Sequence, residues 1–309
     1  MRRRERGAAL LLVLAAVALL TVLAVELASR ASADSLRAVR AAREAAFRRA
    51  FDSGAEVGRG LLVEPDPAKV VHWSQAWNRE IRFALADGQT AVVRLADESG
   101  KLNIARAISH PDEAPALRSA VVRLFEYLAR RDARQAAAWQ ETGAKILRRM
   151  ASKEPLLSLD GLRDAGVEAS RVFDPDGLCR YLTCFGDGKI NLNTAPRAVL
   201  ASLDPEFDDA MVARIAGYRG KGEGEPAAYK PFDEPQDLML VEGIVNRTVG
   251  VDGQLRIARN LFEKVQGLVT VGSSCFSARV EAVIDGKARQ AWAFFKPNGS
   301  RLGFEEVAP

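Results

Sequence analysis

The hydrophobic pattern begins with a stretch that predicts a membrane-spanning helix. From Ala8 to Val25 the chain has 18 residues without a charge, and Thr21 is the only polar one. A helix of this length rises roughly 27 Å, close to the hydrocarbon thickness of a bilayer. Four arginines precede it, so the positive-inside rule places the N-terminus in the cytoplasm and everything after Ser29 across the membrane.

The helical pattern continues beyond the apolar stretch but becomes one-sided. Leu36, Val39, Phe47 and Phe51 recur at spacings of three, four or eight residues, with arginines between them. This spacing predicts an amphipathic helix that continues the first one to about Gly54. The apolar side of its second half must pack against another element, and a sheet is the simplest partner.

The rest of the chain shows strand patterns on both sides of a helical block. Residues 81–85 and 90–95 predict a hairpin, and residues 277–307 predict further strands. Residues from about 112 to 263 have mainly helical patterns. This order predicts an α+β fold: a long N-terminal helix packs on an antiparallel sheet, and a large all-α domain is inserted between the strands of that sheet.

Two segments of the helical block resemble each other. EPLLSLDGLRDAGV and KPFDEPQDLMLVEGI each contain a proline, a polar stretch and a short helical pattern that ends near a glycine. RYLTCFGDGKINLN follows the first segment and NLFEKVQGLVTVG follows the second, each with a loop and an apolar stretch. The repetition predicts two related helical subdomains in the inserted domain.

The residues before the apolar stretch predict how the N-terminus is processed. The basic leader MRRRERG ends in Gly7, and Ala8 and an uninterrupted apolar helix follow. This order resembles the class III signal of type IV pilins and type II secretion pseudopilins. The resemblance implies cleavage between Gly7 and Ala8 by a prepilin peptidase, and methylation of Ala8. Most members have phenylalanine at the position of Ala8 and glutamate at the position of Leu12.

An ordinary secretory signal is the alternative. Ala31-Ser32-Ala33 offers a site of small residues for signal peptidase. However, the apolar stretch is long for a signal core, and Glu26 and Arg30 lie between it and that site.

Four segments, in this order along the chain, indicate one branch of the pseudopilins. They are the leader, DESGKLNI, INLNTAPRAVL, and PFDEPQDL before a strand-rich tail. Together they resemble the type II secretion system protein K family, the large minor pseudopilins, which typically lack the glutamate that Leu12 replaces. The resemblance implies a pilin-like α/β body with an inserted helical domain and no enzymatic activity. It also implies the inner membrane as location, a periplasmic body, and minor pseudopilins I and J and other type II secretion components as partners.

This resemblance divides the chain and assigns its expected role. The leader is 1–7, the transmembrane part of the helix 8–28, the first part of the pilin-like domain 29–108, the inserted helical domain 109–262 and the C-terminal strands 263–309. The expected role is to initiate or cap a pseudopilus at its tip and so support protein export across the outer membrane. A minor pilin of a surface type IV pilus would share the leader and differ in its partners.

A second alternative is a membrane-anchored DNA-binding protein. INLNTAPRAVLASLDPEFDDAMVARIAGYRG resembles helix-hairpin-helix DNA binders, in which a glycine-rich hairpin presents backbone N–H groups to a phosphate. Here the hairpin, residues 203–209, lacks glycine and carries four carboxylates. The net charge of +4 also comes mainly from the leader, which contributes +3. We therefore expect no nucleic-acid partner.

Few residues offer chemistry of their own. The chain has two histidines, and no nucleophile–base pair can be proposed from the sequence. Asp97 and Glu98 are adjacent in DESG, and we expect a solvated turn there. Asp174, Asp176 and Asp187 lie in turn-rich sequence and could bind calcium, although their spacing is not that of an EF-hand and turn or capping roles are the alternative.

The chain has three cysteines. If the body is exported, a disulfide between Cys179 and Cys184 is possible and would leave Cys275 unpaired. Three unlinked thiols are the alternative.

Overall fold

The first element is one long helix, α1, which spans Arg2–Leu61. In the computed structural model the described residues are 2–62, 69–85, 89–112, 114–220, 230–249 and 255–307, without the side chains of 2–12, 247–249, 255–259 and 307. Residues 13–42 of α1 are exposed, and among the described residues α1 is the one helix long and apolar enough to cross a membrane. The predicted helix is confirmed, and it continues past Gly54 to Leu61.

A five-stranded antiparallel sheet packs against the second half of α1. Its strands, in spatial order, are β1 (Glu80–Ala84), β2 (Thr90–Asp97), β9 (Phe276–Ile284), β10 (Lys287–Phe295) and β11 (Arg301–Val307). In the register of β2 and β9, Thr90 lies opposite Val283 and Asp97 opposite Phe276. Strands from both ends of the body therefore form one sheet, as the sequence pattern predicts.

The helix α1 and the sheet share a hydrophobic core, and this core requires the helix backbone to lie close to the sheet. Phe47, Phe51 and Ala55 of α1 are buried against β2, β9 and β10. A Cβ atom built on Gly54 would lie 2.5 Å from a methyl carbon of Val280 in β9. The glycine therefore allows the helix to approach the sheet more closely than a larger residue would.

Between β2 and β9 the chain forms a separate helical domain. Its helices are α2 (Ile104–Ser109), α3 (Pro115–Arg131), α4 (Ala136–Ser152), α5 (Ala169–Phe173), α6 (Arg197–Ser202), α7 (Asp209–Tyr218) and α8 (Leu261–Val265). The chain leaves the sheet after Asp97 and returns to it at Phe276, which is a wider excursion than the predicted range 109–262. The insertion itself confirms the fold expected from the order of strands and helices.

The inserted domain consists of two lobes that begin and end alike. In the first lobe, residues 101–183, β3 (Leu102–Asn103) pairs in parallel with β4 (Leu182–Thr183). In the second lobe, residues 189–270, β5 (Ile190–Asn191) pairs in parallel with β8 (Val269–Thr270). GKLN opens the first pairing and GKIN the second. This arrangement agrees with the predicted repeat.

The two similar sequence segments form equivalent turns in the lobes. They are the 3₁₀ helices Leu159–Ala165 in the first lobe and Pro235–Leu240 in the second. The second lobe also contains an antiparallel hairpin of β6 (Val245–Val249) and β7 (Leu255–Asn260). The inserted domain is therefore mainly helical, with short strands that the all-α prediction did not include.

The first lobe covers the face of the sheet opposite α1. The Phe173 ring of α5 lies 5.3 Å from the Trp292 ring of β10, measured between centroids. Phe185, which follows β4, stacks on Phe294 of β10 at 3.9 Å. Alternate residues of β10 therefore face α1 and the inserted domain, and from Ala291 to Phe295 this strand is buried on both sides.

Candidate functional site

The residues predicted for leader processing lie in α1. Gly7, Ala8 and Leu12 are inside the Arg2–Leu61 helix, but their side chains lie outside the described part of the structure. Cleavage after Gly7, methylation of Ala8 and the meaning of Leu12 therefore stay predictions.

The DESG segment is buried, so the prediction of a solvated turn is wrong. Asp97, Glu98 and Ser99 are only 4%, 2% and 4% exposed. Residues 98–100 form a 3₁₀ turn, and the Asp97 side chain caps it by accepting a hydrogen bond from the Ser99 backbone N–H. The turn lies where the chain leaves the sheet, and the second lobe and the segment returning to β9 cover it.

The Asp97 carboxylate joins three parts of the chain. Its Oδ1 accepts from the Ser99 N–H at 2.8 Å and from the Ser273 hydroxyl at 2.6 Å. Its Oδ2 accepts from the Thr194 hydroxyl at 2.6 Å and from Asn191 Nδ2 at 2.7 Å. We name this group the Asp97 junction: Asp97, Ser99, Asn191, Thr194 and Ser273. It fastens the second lobe and the returning segment to the end of β2.

Glu98 has a separate set of partners beside the junction. Lys101 Nζ lies 2.5 Å from Glu98 Oε1, and the two side chains are 12% and 3% exposed. The Ser277 hydroxyl of β9 donates to the same oxygen at 2.6 Å. The carboxylate is thus neutralised within the turn and tied to the sheet, as a buried charge requires.

The asparagines of INLN act as connectors. Asn191 Nδ2 also donates to the Val71 carbonyl at 3.0 Å, and its Oδ1 accepts from the Asn193 N–H. Asn193 accepts from the Phe232 N–H at 2.8 Å and donates to the Phe232 carbonyl at 3.0 Å. Both asparagines are fully buried. Sequence reasoning used INLN as part of a resemblance to pseudopilins but did not find these hydrogen-bonding roles. The strings GKLN and GKIN, which open equivalent strands in the two lobes, could have indicated that the asparagines have a structural role.

A narrow cleft between the first lobe and the sheet contains two of the cysteines. It has room for about one water molecule. Its lining residues include Glu98, Lys101, Cys179, Cys184, Trp292 and Glu305. Burial raises the pKa of the Cys179 and Cys184 thiols, and the structure holds both as free thiols. The disulfide stays a prediction, which counting alkylated thiols before and after reduction would decide.

Of the three aspartates predicted to bind calcium, Asp176 and Asp187 have separate carboxylate partners, and Asp174 contributes its backbone carbonyl to a turn. Asp176 pairs with Arg180 at 2.9 Å and is 89% exposed. Asp187 accepts from the Lys189 N–H and the Ser274 hydroxyl, and the Asp174 carbonyl closes a turn with the Gly177 N–H. No group of three His, Cys, Asp or Glu side chains suited to a metal occurs among the described residues. Calcium binding therefore stays a prediction without a ligand cluster, and calorimetry with calcium would test it.

The acidic hairpin between α6 and α7 is used for internal contacts. Asp208 caps α7 by accepting from the Met211 N–H. Asp209 accepts from the Tyr127 hydroxyl of α3, and Glu206 pairs with Lys264 of α8. The Asp208 and Glu206 contacts lie within the second lobe, and the Asp209 contact joins it to the first lobe, which agrees with the packing role expected from the sequence.

Neither a protein-family model nor a curated protein sequence matches the chain. Among solved structures it is similar to GspK in the crystal structure of the GspK-GspI-GspJ complex from the enterotoxigenic Escherichia coli type 2 secretion system. The chain has the fold of GspK. The likeness covers 87% of this chain and 100% of that chain, with a TM-score of 0.58 and 15% sequence identity. The long helix, the antiparallel sheet and the helical insertion are thus a known combination.

Proposed function

We propose that this protein is a GspK-like minor pseudopilin of a type II secretion system. The observation that carries the proposal is a helix exposed over residues 13–42 whose continuation is buried on a sheet with the GspK architecture. An apolar helix with nothing packed on it needs either a bilayer or other apolar helices. A subunit that moves from the membrane into a fibre exchanges lipid contacts for contacts with the apolar helices of other subunits.

The proposal includes a place in the cell and a set of partners. The helix anchors the protein once in the inner membrane, with its N-terminus in the cytoplasm and its body in the periplasm. The partners are minor pseudopilins of the I and J types, because GspI and GspJ assemble with GspK in the similar structure. The complex forms the tip of the pseudopilus and supports export across the outer membrane.

Co-purification in the native host tests the proposed function. The tagged full-length chain should bring down the I-type and J-type pseudopilins encoded beside it, and deletion of its gene should leave exported proteins in the periplasm. The control is a tagged inner-membrane protein with one unrelated helix. Recovery of surface pilins instead, with export intact, would assign the protein to a type IV pilus.

Cleavage of the leader is a separate prediction. Intact mass and N-terminal sequencing of the mature protein should show a chain that begins at Ala8, and Gly7→Val should accumulate the uncut form, because the peptidase requires the small residue before its cut. A Gly60→Val variant, changed at an exposed glycine of the same helix, should be processed normally. A mature chain that begins at Asp34 would show ordinary signal-peptide cleavage after Ala31-Ser32-Ala33.

Leu12 explains why we place this subunit at the tip. In the pilin-like family the fifth-residue glutamate of an incoming subunit is thought to neutralise the N-terminal amine of the subunit above it. A charge without a partner among apolar helices is costly. The first subunit has none above it, so a leucine there leaves no carboxylate unpaired.

The Leu12→Glu variant tests this account. We expect fewer fibres to start, because the new carboxylate finds no amine above it, whereas Leu12→Met should behave as wild type. Fibre number and subunit position can be counted by immunogold labelling. Repeated incorporation of Leu12→Glu along the shaft, or better assembly at the tip than wild type, would require another explanation for Leu12.

A further inference from the structure

The Asp97 junction contains a buried acid whose partners are all neutral. The four groups that donate to its carboxylate are a backbone N–H, two hydroxyls and one amide. No cation is bonded to Asp97 in the described part of the chain, and the adjacent Lys101 is bonded to Glu98. Three of the four donors belong to the second lobe or the returning segment. Any separation of the inserted domain from the end of β2 must break these bonds and admit water to the carboxylate.

Protonation of such a group changes the strength of the junction. Burial raises the pKa of Asp97 to about 6, against the hydrogen bonds from Ser273, Thr194, Asn191 and the Ser99 N–H, which lower it. In an opened junction the hydrated carboxyl would titrate near its ordinary value of 3.8. The closed state therefore binds the proton more tightly than the opened state does. The stability that proton binding adds to the closed state is fully present below pH 3.8, the pKa of the opened state. It is lost as the pH rises through about 6, the pKa of the closed state.

We propose that the Asp97 junction is a proton-controlled clasp between the sheet and the inserted domain, closed most tightly in mildly acidic conditions and opened more readily at neutral pH. The Ser273 and Thr194 hydroxyls suit this role, because a hydroxyl can rotate from donating to the carboxylate to accepting from the carboxylic acid. The Ser273 hydroxyl already lies 3.0 Å from a second acceptor, the Cys275 carbonyl. The closed geometry is therefore compatible with both protonation states.

Other titratable groups lie close to the junction and must be separated from it. The turn carries Glu98 and Lys101, the returning segment carries Cys275, Asp187 accepts from Ser274, and His72 follows Val71. Burial raises the pKa of Cys275 away from the acidic range. Burial lowers the pKa of His72 from 6.5, towards the acidic side, and the nearby Asp233 opposes this shift. A His72→Gln variant is therefore the necessary control.

Amide hydrogen exchange on the full-length chain in detergent tests the clasp. Peptides that cover residues 98–103 and 191–196 report opening after correction for the intrinsic exchange rate at each pH. We expect the opening equilibrium to increase about tenfold from pH 5 to pH 7. The His72→Gln variant should keep this increase, and Asp97→Asn should abolish it. An equal opening equilibrium at both pH values in wild type, or an unchanged increase in Asp97→Asn, would overturn the proposal.

A second variant keeps the test decisive if Asp97→Asn does not fold. Thr194→Val removes one donor to the ionised carboxylate and retains the shape of the side chain. It should shift the midpoint of the exchange transition to higher pH, because the ionised form loses a hydrogen bond. A midpoint equal to that of wild type would show that Asp97 does not control opening.

Discussion

Gly54→Leu should lower the free energy of unfolding by about 3 kcal/mol or more, because it inserts a side chain where the helix touches the sheet. A Cβ atom at this position would lie 2.5 Å and 2.7 Å from the two methyl carbons of Val280. Contacts below 3 Å between carbons are strongly repulsive, and Val280 is fully buried in β9, so it cannot move aside. The helix must therefore tilt away and expose Phe47 and Phe51.

Gly60→Leu is the matched control for this prediction. The same helix continues to Leu61, and a Cβ atom on Gly60 would meet nothing within 4 Å. Replacing an exposed helical glycine should leave stability unchanged or raise it by up to about 1 kcal/mol. Urea unfolding of the full-length chains in detergent gives both values. Similar losses in the two variants would show that helix propensity, rather than contact with Val280, determines the effect.

Gly54 also illustrates where sequence reasoning succeeded and where it stopped. The spacing of Phe47 and Phe51 correctly predicts a helix with one face on a sheet, because periodicity reports burial directly. The same reasoning placed the helix end near Gly54, although the helix continues through this glycine, a residue type that usually weakens helices. The helix continues because Gly54 and Gly58 lie against Val280 and Ala278 of β9, and this contact depends on residues more than 200 positions away.

The buried turn shows the same limit for polar residues. DESG has the composition of a solvated turn, and local sequence contains nothing that would bury it. Its burial depends on Asn191, Thr194 and Ser273, which lie 94 to 176 positions from Asp97. The order of strands and helices could be predicted because each element has its own period. The junction could not, because three distant segments meet there and none carries a periodic signal.

The second large effect is expected at Asn193, whose side-chain amide bonds both the backbone N–H and the carbonyl of Phe232, as a neighbouring strand would. Asn193→Leu keeps the branching and the number of heavy atoms of this fully buried side chain but replaces its amide with bulkier apolar groups. The Phe232 N–H and carbonyl, now bonded to Asn193 at 2.8 Å and 3.0 Å, would both lose this partner. Each unsatisfied buried group costs roughly 1–3 kcal/mol, so we expect a loss of about 3 kcal/mol in the free energy of unfolding.

Asn246→Leu separates this effect from the change of residue type. Asn246 is exposed in β6 of the same lobe, so its replacement should change stability by less than about 0.5 kcal/mol.

Hydrogen exchange at the Phe232 amide should also become much faster in Asn193→Leu, because the amide is held by a side chain and not by a strand partner. Equal stabilities of the two variants, or an unchanged Phe232 exchange rate, would mean that the stacking of Phe232 on Tyr218 is sufficient to hold this segment. The predicted difference follows from what leucine cannot replace: it has the branched shape of Asn193 but can neither donate nor accept a hydrogen bond.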